Sequence, residues 1–389
     1  MKDQIAKYTS KLVSDRSAMP ERIAIAAQDD VLLTAGADDL AALAGAILSK
    51  LNSLALVVAR PSLPFAEFLI GRASADESCI LPQDTETRTF LHDIPFLRRE
   101  ELAADPSAQI ARLLGSRKGV IVEGVGIVAV GAITVEQAYI NYSSVFHSTF
   151  VKYLQDLLAE GFRLPGEQES FDSFRNEWLR PLSAEGLEFR EELSGHRDDI
   201  LNEIERVGRY TVERGLVDSF FGNISVQAGG VIYISQTAAS LDELAGCIDP
   251  VPTGNTSTTG ITASSELLAH RKIFEETGAT VILHGHPKFA VIMSMLCETS
   301  GCTITDCWKD CPHVRTLGGT PVVAGEIGAG GLAKRVPPVI GRTGSAIVYG
   351  HGVFTIGEGF RDAFAAMVDV ENFCRSEFFR RLDFPAPIS

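Results

Sequence analysis

With 389 residues the chain is long enough for two domains, each with its own core. A 45 % hydrophobic and 22 % charged content suits a folded globular protein, and a net charge of −15 argues against nucleic acid as a partner. No apolar run approaches a membrane-spanning length, Met1–Lys7 lacks the apolar core of a signal peptide, and seven scattered cysteines point to a reducing cytoplasm without structural disulfides.

In chain order, Arg22–Ala26 and Val31–Thr34 read as a β-hairpin. Asp38–Lys50 has helical periodicity with Asp38 at its N-cap, Leu54–Ala59 is a strand and Phe65–Gly71 a helix. A strand region Gly119–Val130 leads into a helix from Thr134 to Glu160. Residues 161–195, with Pro165 and Pro181, form an ordered, partly helical connector in which Glu188–Glu192 reads as a solvated helix face. An amphipathic helix follows at Asp199–Arg214, then a second hairpin at Asn223–Gln227 and Ile232–Ser235. Ser264–Glu276 is a helix capped by Ser264, Thr280–Leu283 a strand, Phe289–Cys297 a helix, Ser345–Ile356 a strand region and Phe360–Arg381 the last helix. The alternation predicts α/β or α+β layers. Cys297, Cys302, Cys307 and Cys311 cluster, but their spacing matches no standard metal or iron–sulfur pattern; they read as reduced thiols in and after a buried helix.

The chain repeats itself. Val122-Glu-Gly-Val-Gly126 stands under Val348-Tyr-Gly-His-Gly352, and one constant offset then aligns Gly115 with Gly341, Pro95 with Pro321, Ser74 with Ser300, Pro61 with Pro287, Ala37 with Ala263 and Gly131 with Gly357. Glycine and proline, which fix special backbone geometry, carry most of the matches. Upstream, Arg22–Ala26 pairs more weakly with Asn223–Gln227, and Val31–Thr34 with Ile232–Ser235. The expected domains are a degenerate copy at 1–160, the connector at 161–195 and a second copy at 196–389.

His284 and His286, two apart on a strand, project two imidazoles from one face. The best third ligand is His351, just after Ser345–Tyr349; three histidines and an open position are the form of a catalytic zinc site. In the repeat register Val58, Arg60, Val125 and Leu40 stand where His284, His286, His351 and Glu266 do. No cation binds where an arginine replaces its ligand, so the first copy is expected to be metal-free, with a structural or regulatory role. Arg60 reads as a surface or ion-paired side chain rather than an anion ligand. His92, His147, His196, His270 and His313 read as ordinary polar side chains, His270 lying one turn from Glu266.

The ordered set Gly215-Leu-Val217, Gly222-Asn-Ile-Ser225, Thr237-Ala-Ala-Ser240, Ser264-Ser-Glu266, His284-Gly-His-Pro287 and Gly350-His-Gly352 resembles the class II aldolase/adducin family over about residues 200–380. That resemblance implies a three-layer α/β/α fold with a mostly antiparallel central sheet, here duplicated in tandem. It implies Zn²⁺ or another divalent metal on His284, His286 and His351, and Glu266 as the catalytic acid/base. Gly222, Asn223, Thr237, Ser264 and Ser265 match positions that bind the substrate's phosphate in the sugar-phosphate enzymes. Chemistry agrees: breaking a C–C bond beside a carbonyl leaves an enediolate, which a divalent ion stabilises while a carboxylate moves a proton. Glycine turns, hydroxyls and helix N-termini suit phosphate.

Two departures make the metal more strongly implied than the phosphate. Ala238 replaces the glycine of the phosphate turn, and Thr262-Ala263 stand where a lysine often precedes Ser-Ser-Glu. The family's tail tyrosine has no clear match, which leaves Asp306 and Lys309 as candidates for a second proton donor. The implied activity is a zinc-dependent aldolase-type lyase acting on a hydroxylated carbonyl compound, with a sugar phosphate among the candidates. Epimerisation or dehydration in the same family is the alternative, and so is a non-catalytic adducin-like scaffold or binding protein. The family's fourfold rings imply a homodimer forming a pseudo-tetramer around a small carbohydrate-type substrate.

Overall fold

The structure, a computed structural model, describes residues 1–218, 220–254, 262–297, 299, 301–325 and 329–384; the pairing of Ser74 with Ser300 falls outside that set. The chain divides into two compact units, Met1–Glu177 and Trp178–Ser389. Among the described residues no helix is long and apolar enough to cross a membrane.

The first unit contains α1 (Lys2–Ser14), β1 (Ala18–Gln28), β2 (Leu32–Gly36), α2 (Asp38–Leu48), β3 (Ala55–Pro61), α3 (Phe65–Arg72), β4 (Cys79–Ile80), α4 (Thr85–Leu91), β5 (Ile94–Leu97), α5 (Pro106–Leu114), β6 (Gly119–Val122), β7 (Gly126–Gly131), α6 (Val135–Glu160) and all but the last residue of α7 (Glu167–Trp178). Seven strands run in the order β2-β1-β3-β7-β6-β5-β4, antiparallel except for β5 against β6. Strand side chains alternate between faces. Ala24, Ala26, Leu56, Val58, Val120 and Val128 pack under α2 and α5, while α6 lies against β3 and β7. Local chemistry sets the helix starts: Thr134 accepts from Gln137 N at the start of α6, and Pro106 opens α5 behind an Asp105 cap.

The second unit contains α8 (Arg197–Glu213), β8 (Asn223–Ala228), β9 (Val231–Ser235), β10 (Ile248–Pro252), α9 (Leu267–Thr277), β11 (Val281–Gly285), α10 (Lys288–Ser294), α11 (Cys307–Asp310), β12 (Arg315–Leu317), β13 (Thr320–Val323), α12 (Ala329–Arg335), α13 (Pro337–Thr343), β14 (Ser345–Val348), β15 (Gly352–Gly357) and α14 (Phe360–Asp383). Its sheet runs β10-β9-β8-β11-β15-β14-β13-β12, with only β13 against β14 parallel. The duplication is written in the pairing: Ala55 opposes Gly131 as Val281 opposes Gly357, and Phe96 pairs Ile121 as Val322 pairs Ile347. Both halves are three-layer α/β/α units.

Some expectations shift. Ile25 opposes Val57 and Ile224 opposes Leu283, so Ala24, not Arg22, matches Asn223; a slip of two residues keeps every side chain on its face, which is why sequence pattern missed it. The copies also differ locally between α3 or α10 and β5 or β13. The first unit places the edge strand β4 before α4, whereas the second places α11 before β12. Ala37 caps α2 and Asp38 is its first residue; Glu266, not Ser264, is the N-cap of α9, and the Ser264 hydroxyl accepts from Glu266 N at 3.3 Å. Helix α10 ends at Ser294, well before the exposed Cys297.

The connector is shared between the units. Glu167 is buried against Arg72 at 2.6 Å, and Phe171 and Phe174 join the aromatic cluster of the first unit. In the second unit Phe189 packs on Tyr210 and Phe364, so Glu188–Glu192 is irregular chain around a buried ring rather than a solvated helix face.

Candidate metal centre

His284 lies near the end of β11, opposite Asn223 on β8 and Phe354 on β15. Its ring stacks on Phe354 with centroids 4.0 Å apart, and its Nδ1 is 3.0 Å from the Val353 carbonyl oxygen. A carbonyl only accepts, so the proton sits on Nδ1 and the Nε2 lone pair points into the site. His286 follows one residue past the strand, its Nε2 3.1 Å from that of His284. His351 sits in the turn between β14 and β15, where its N–H donates to Val348 O; its Nε2 is 3.2 Å from that of His284. A tetrahedral zinc ion with Zn–N of about 2.0–2.1 Å holds its nitrogens about 3.3 Å apart. Once deprotonated, three Nε2 atoms at this spacing form a donor set that suits a soft or borderline divalent cation. Among the described residues this is the only group of three such donors within 4.8 Å.

Two glycines make the approach feasible. A Cβ on Gly352 would lie 2.4 Å from Gly285 O and 2.8 Å from a His286 ring carbon. Gly222 has φ +93°, and a Cβ there would lie 2.5 Å from His284 O.

Glu266 faces the imidazoles from the start of α9. Its Oε1 is 3.2 Å from His351 Nε2, its Oε2 is 3.4 Å from His284 Nε2, and Asn223 Nδ2 donates to Oε2 at 2.8 Å. Burial works against the carboxylate, but His284, His351 and Asn223 outweigh it and hold the carboxyl well below its ordinary range. Behind this group His270 is fully buried, its Nδ1 2.6 Å from Ser225 Oγ, and burial pushes it down to about 3, so it is neutral.

The other expected substrate residues gather at the same end of α9. Ser265 N donates to Thr237 Oγ1 at 3.0 Å, and Ser264 N donates to Ser235 O, so two turns are laced together just before Glu266. Ser265 and Thr237 are exposed and Ser264 is buried. Ala238 keeps a left-handed φ of 58° although it lacks glycine's freedom. Asp306 and Lys309 are exposed at α11.

Two features escaped the sequence reading. The Phe221 ring lies nearly parallel to His286 at 5.6 Å, and Lys288, only 6 % exposed, pairs with Asp218 at 2.8 Å. A lysine directly after His-Gly-His-Pro was the available signal, since buried lysines are rare without a partner.

Residues 202–378 match the family model described as Class II Aldolase and Adducin N-terminal domain. The second unit is a class II aldolase/adducin domain. Among solved structures, l-fuculose-1-phosphate aldolase from Thermus thermophilus is similar at 23 % identity, covering 49 % of this chain and 98 % of that one, with a TM-score of 0.40. YgbL from Escherichia coli, described as a candidate aldolase/epimerase/decarboxylase, is similar at 18 % identity over 48 % of this chain and 91 % of that one, TM-score 0.40. An N-terminal class II aldolase domain from Thermoplasma acidophilum is similar at 13 % identity over 51 % and 100 %, TM-score 0.36. No curated protein matches the chain.

The first unit repeats the strand pairing of the second but not its polar residues. Ala24, Ala26, Leu40, Ala44 and Val58 form one apolar cluster, with Val125 packed against it, where the aldolase domain has Asn223, Ser225, Glu266, His270, His284 and His351. Arg60 is exposed, and among the described residues no ion pair holds it.

Proposed function

We propose that the second unit is a metal-dependent lyase acting on a hydroxylated carbonyl compound, in the reducing cytoplasm. The main support is the convergence of three buried Nε2 atoms with the Glu266 carboxylate 3.2–3.4 Å from two of them. A divalent cation on His284, His286 and His351, Zn²⁺ foremost, would supply Lewis-acid stabilisation of the negative charge that develops on the substrate's oxygens as the bond beside the carbonyl breaks. Glu266 moves the proton between its carboxyl oxygen and the carbon next to that carbonyl, and Asn223 aims it by donating to Oε2. The Val353 carbonyl holds His284 in the tautomer that bares Nε2. Gly222, Asn223 and the hydroxyls of Thr237, Ser264 and Ser265 bind the substrate's polar or phosphorylated tail. The tandem duplication supports a homodimer with four aldolase-type units; a single-chain mass by light scattering would exclude it.

The test is metal analysis combined with turnover of a panel of sugar phosphates and unphosphorylated hydroxy-ketones. His284→Ala should release the imidazole-held metal and abolish turnover. Full activity in that variant, or a native protein without metal on these imidazoles, overturns the reading.

A further inference from the structure

Lys288 is the first residue of α10, two places after His286, and its side chain is buried with Nζ 2.8 Å from Asp218 Oδ1. The helix does not need it there. The buried Glu371 carboxylate already accepts from Phe289 N and Ala290 N, and a positive side chain at a helix N-terminus works against the helix dipole. Nor is a buried ion pair a stability device, since apolar side chains of similar volume serve as well or better. In the first copy the constant offset puts the exposed Ser62 at this position, so the copy without the imidazoles also lacks the lysine.

What the pair joins gives the reason. Asp218 O accepts from Phe221 N at 2.9 Å, which closes the turn leading into β8. The Phe221 ring lies over His286, 16° from parallel with centroids 5.6 Å apart. Gly222 then passes so close to the second imidazole's strand that a Cβ would lie 2.5 Å from His284 O, and Asn223 donates to Glu266. His286 lies one residue past the end of β11 and its strand pairing, so neighbouring side chains must hold its ring.

We propose that Lys288 and Asp218 are positioning residues: their ion pair holds Phe221 against the His286 ring and so keeps His286 Nε2 together with the other two imidazoles. Neither side chain supplies a ligand; they act through the ring, as the partners of metal-binding histidines commonly do. This role rests on the metal-dependent lyase reading, while the placement of the ring can be measured without metal.

The experiment compares wild type with Asp218→Leu/Lys288→Met, which leaves no charge of the pair buried alone, and with Phe221→Leu. In the metal-free chains, carbethoxylation of each histidine by diethyl pyrocarbonate is followed by peptide mass analysis, with the exposed His196 as internal reference. His286 should react about tenfold faster in both variants, and cobalt(II) affinity, read by chelator competition, should be about tenfold weaker in both. The urea midpoint of the double variant should stay at the wild-type value. A merely structural pair would return labelling and affinity to wild type along with stability. Wild-type labelling of His286 in the double variant overturns the proposal, and so does wild-type cobalt affinity there. If the double variant does not fold, Phe221→Leu decides, because it keeps the pair and removes only the ring: unchanged labelling overturns the proposal. A wild-type chain that takes up no more cobalt than His284→Ala refutes the lyase reading instead, and the labelling rates then decide the role of the pair.

Discussion

Val58 and His284 hold the same place in two sheets, Val58 opposite Val128 on β7 and His284 opposite Phe354 on β15. Around Val58 the neighbouring positions are hydrocarbon: Ala24, Ala26, Leu40 and Ala44. Around His284 they are Asn223 and Glu266, which bond to each other beside the imidazole, and Ser225 and His270, which bond to each other. The exchange is all-or-none for a physical reason. A buried polar network missing some members leaves its remainder unsatisfied, which is worse than an apolar core.

Leu40→Glu tests that account. It puts a carboxyl into the apolar cluster without Asn or His partners. We expect the first unit to lose about 3–5 kcal/mol, with no gain in bound metal. Denaturation followed by circular dichroism reads it. A variant as stable as the parent would show that this region is open to water.

Glu266→Gln keeps the shape and can still accept from Asn223, but the amide cannot carry the proton. Turnover should fall by about 10²–10⁴ while metal content stays at the wild-type level. Unaltered turnover would remove Glu266 from the reaction.

Much of this was legible in the chain because glycines and prolines pin the sheet: Gly131 and Gly357 occupy matching ends of β7 and β15, and the register between them sets Val58 in the place of His284. The hairpin offset was not legible, since a two-residue slip preserves the alternation of faces. Nor was the pair Ser225–His270, because a histidine one turn from Glu266 could as well face away, and only β8 lying beside α9's sheet face brings the hydroxyl to it. The Lys288–Asp218 pair joins residues far apart in sequence, beyond the reach of periodicity.

Gly352→Ala should act on the site without replacing a ligand. The new methyl group meets Gly285 O at 2.4 Å and a His284 ring carbon at 3.0 Å, so β11 and β15 must separate or the rings must turn. Overpacking of this kind costs about 1–3 kcal/mol. Metal affinity should fall with stability, read by competition with a chelator. Unchanged affinity would mean that the rings tolerate displacement.

His270 gives the second unit a pH dependence of known sign. Its folded value, about 3, lies below the unfolded value of about 6.5, so the unfolded chain takes up the proton first as pH falls. Its contribution to stability is complete above the unfolded value and declines as pH drops from there towards 3. Glu266, also depressed, contributes fully above its own unfolded value of 4.5 and loses that only below it, so it adds no slope in the interval from pH 7 to 5. Over that interval the effect amounts to at most about 2 kcal/mol. His270→Gln should flatten this slope, and because the metal ligands are common to both proteins, the difference isolates His270. Both tryptophans, Trp178 and Trp308, lie in the second unit, so their fluorescence during urea unfolding reports on the right half of the molecule. Parallel slopes in the two proteins would mean that His270 opens to solvent before the unit unfolds.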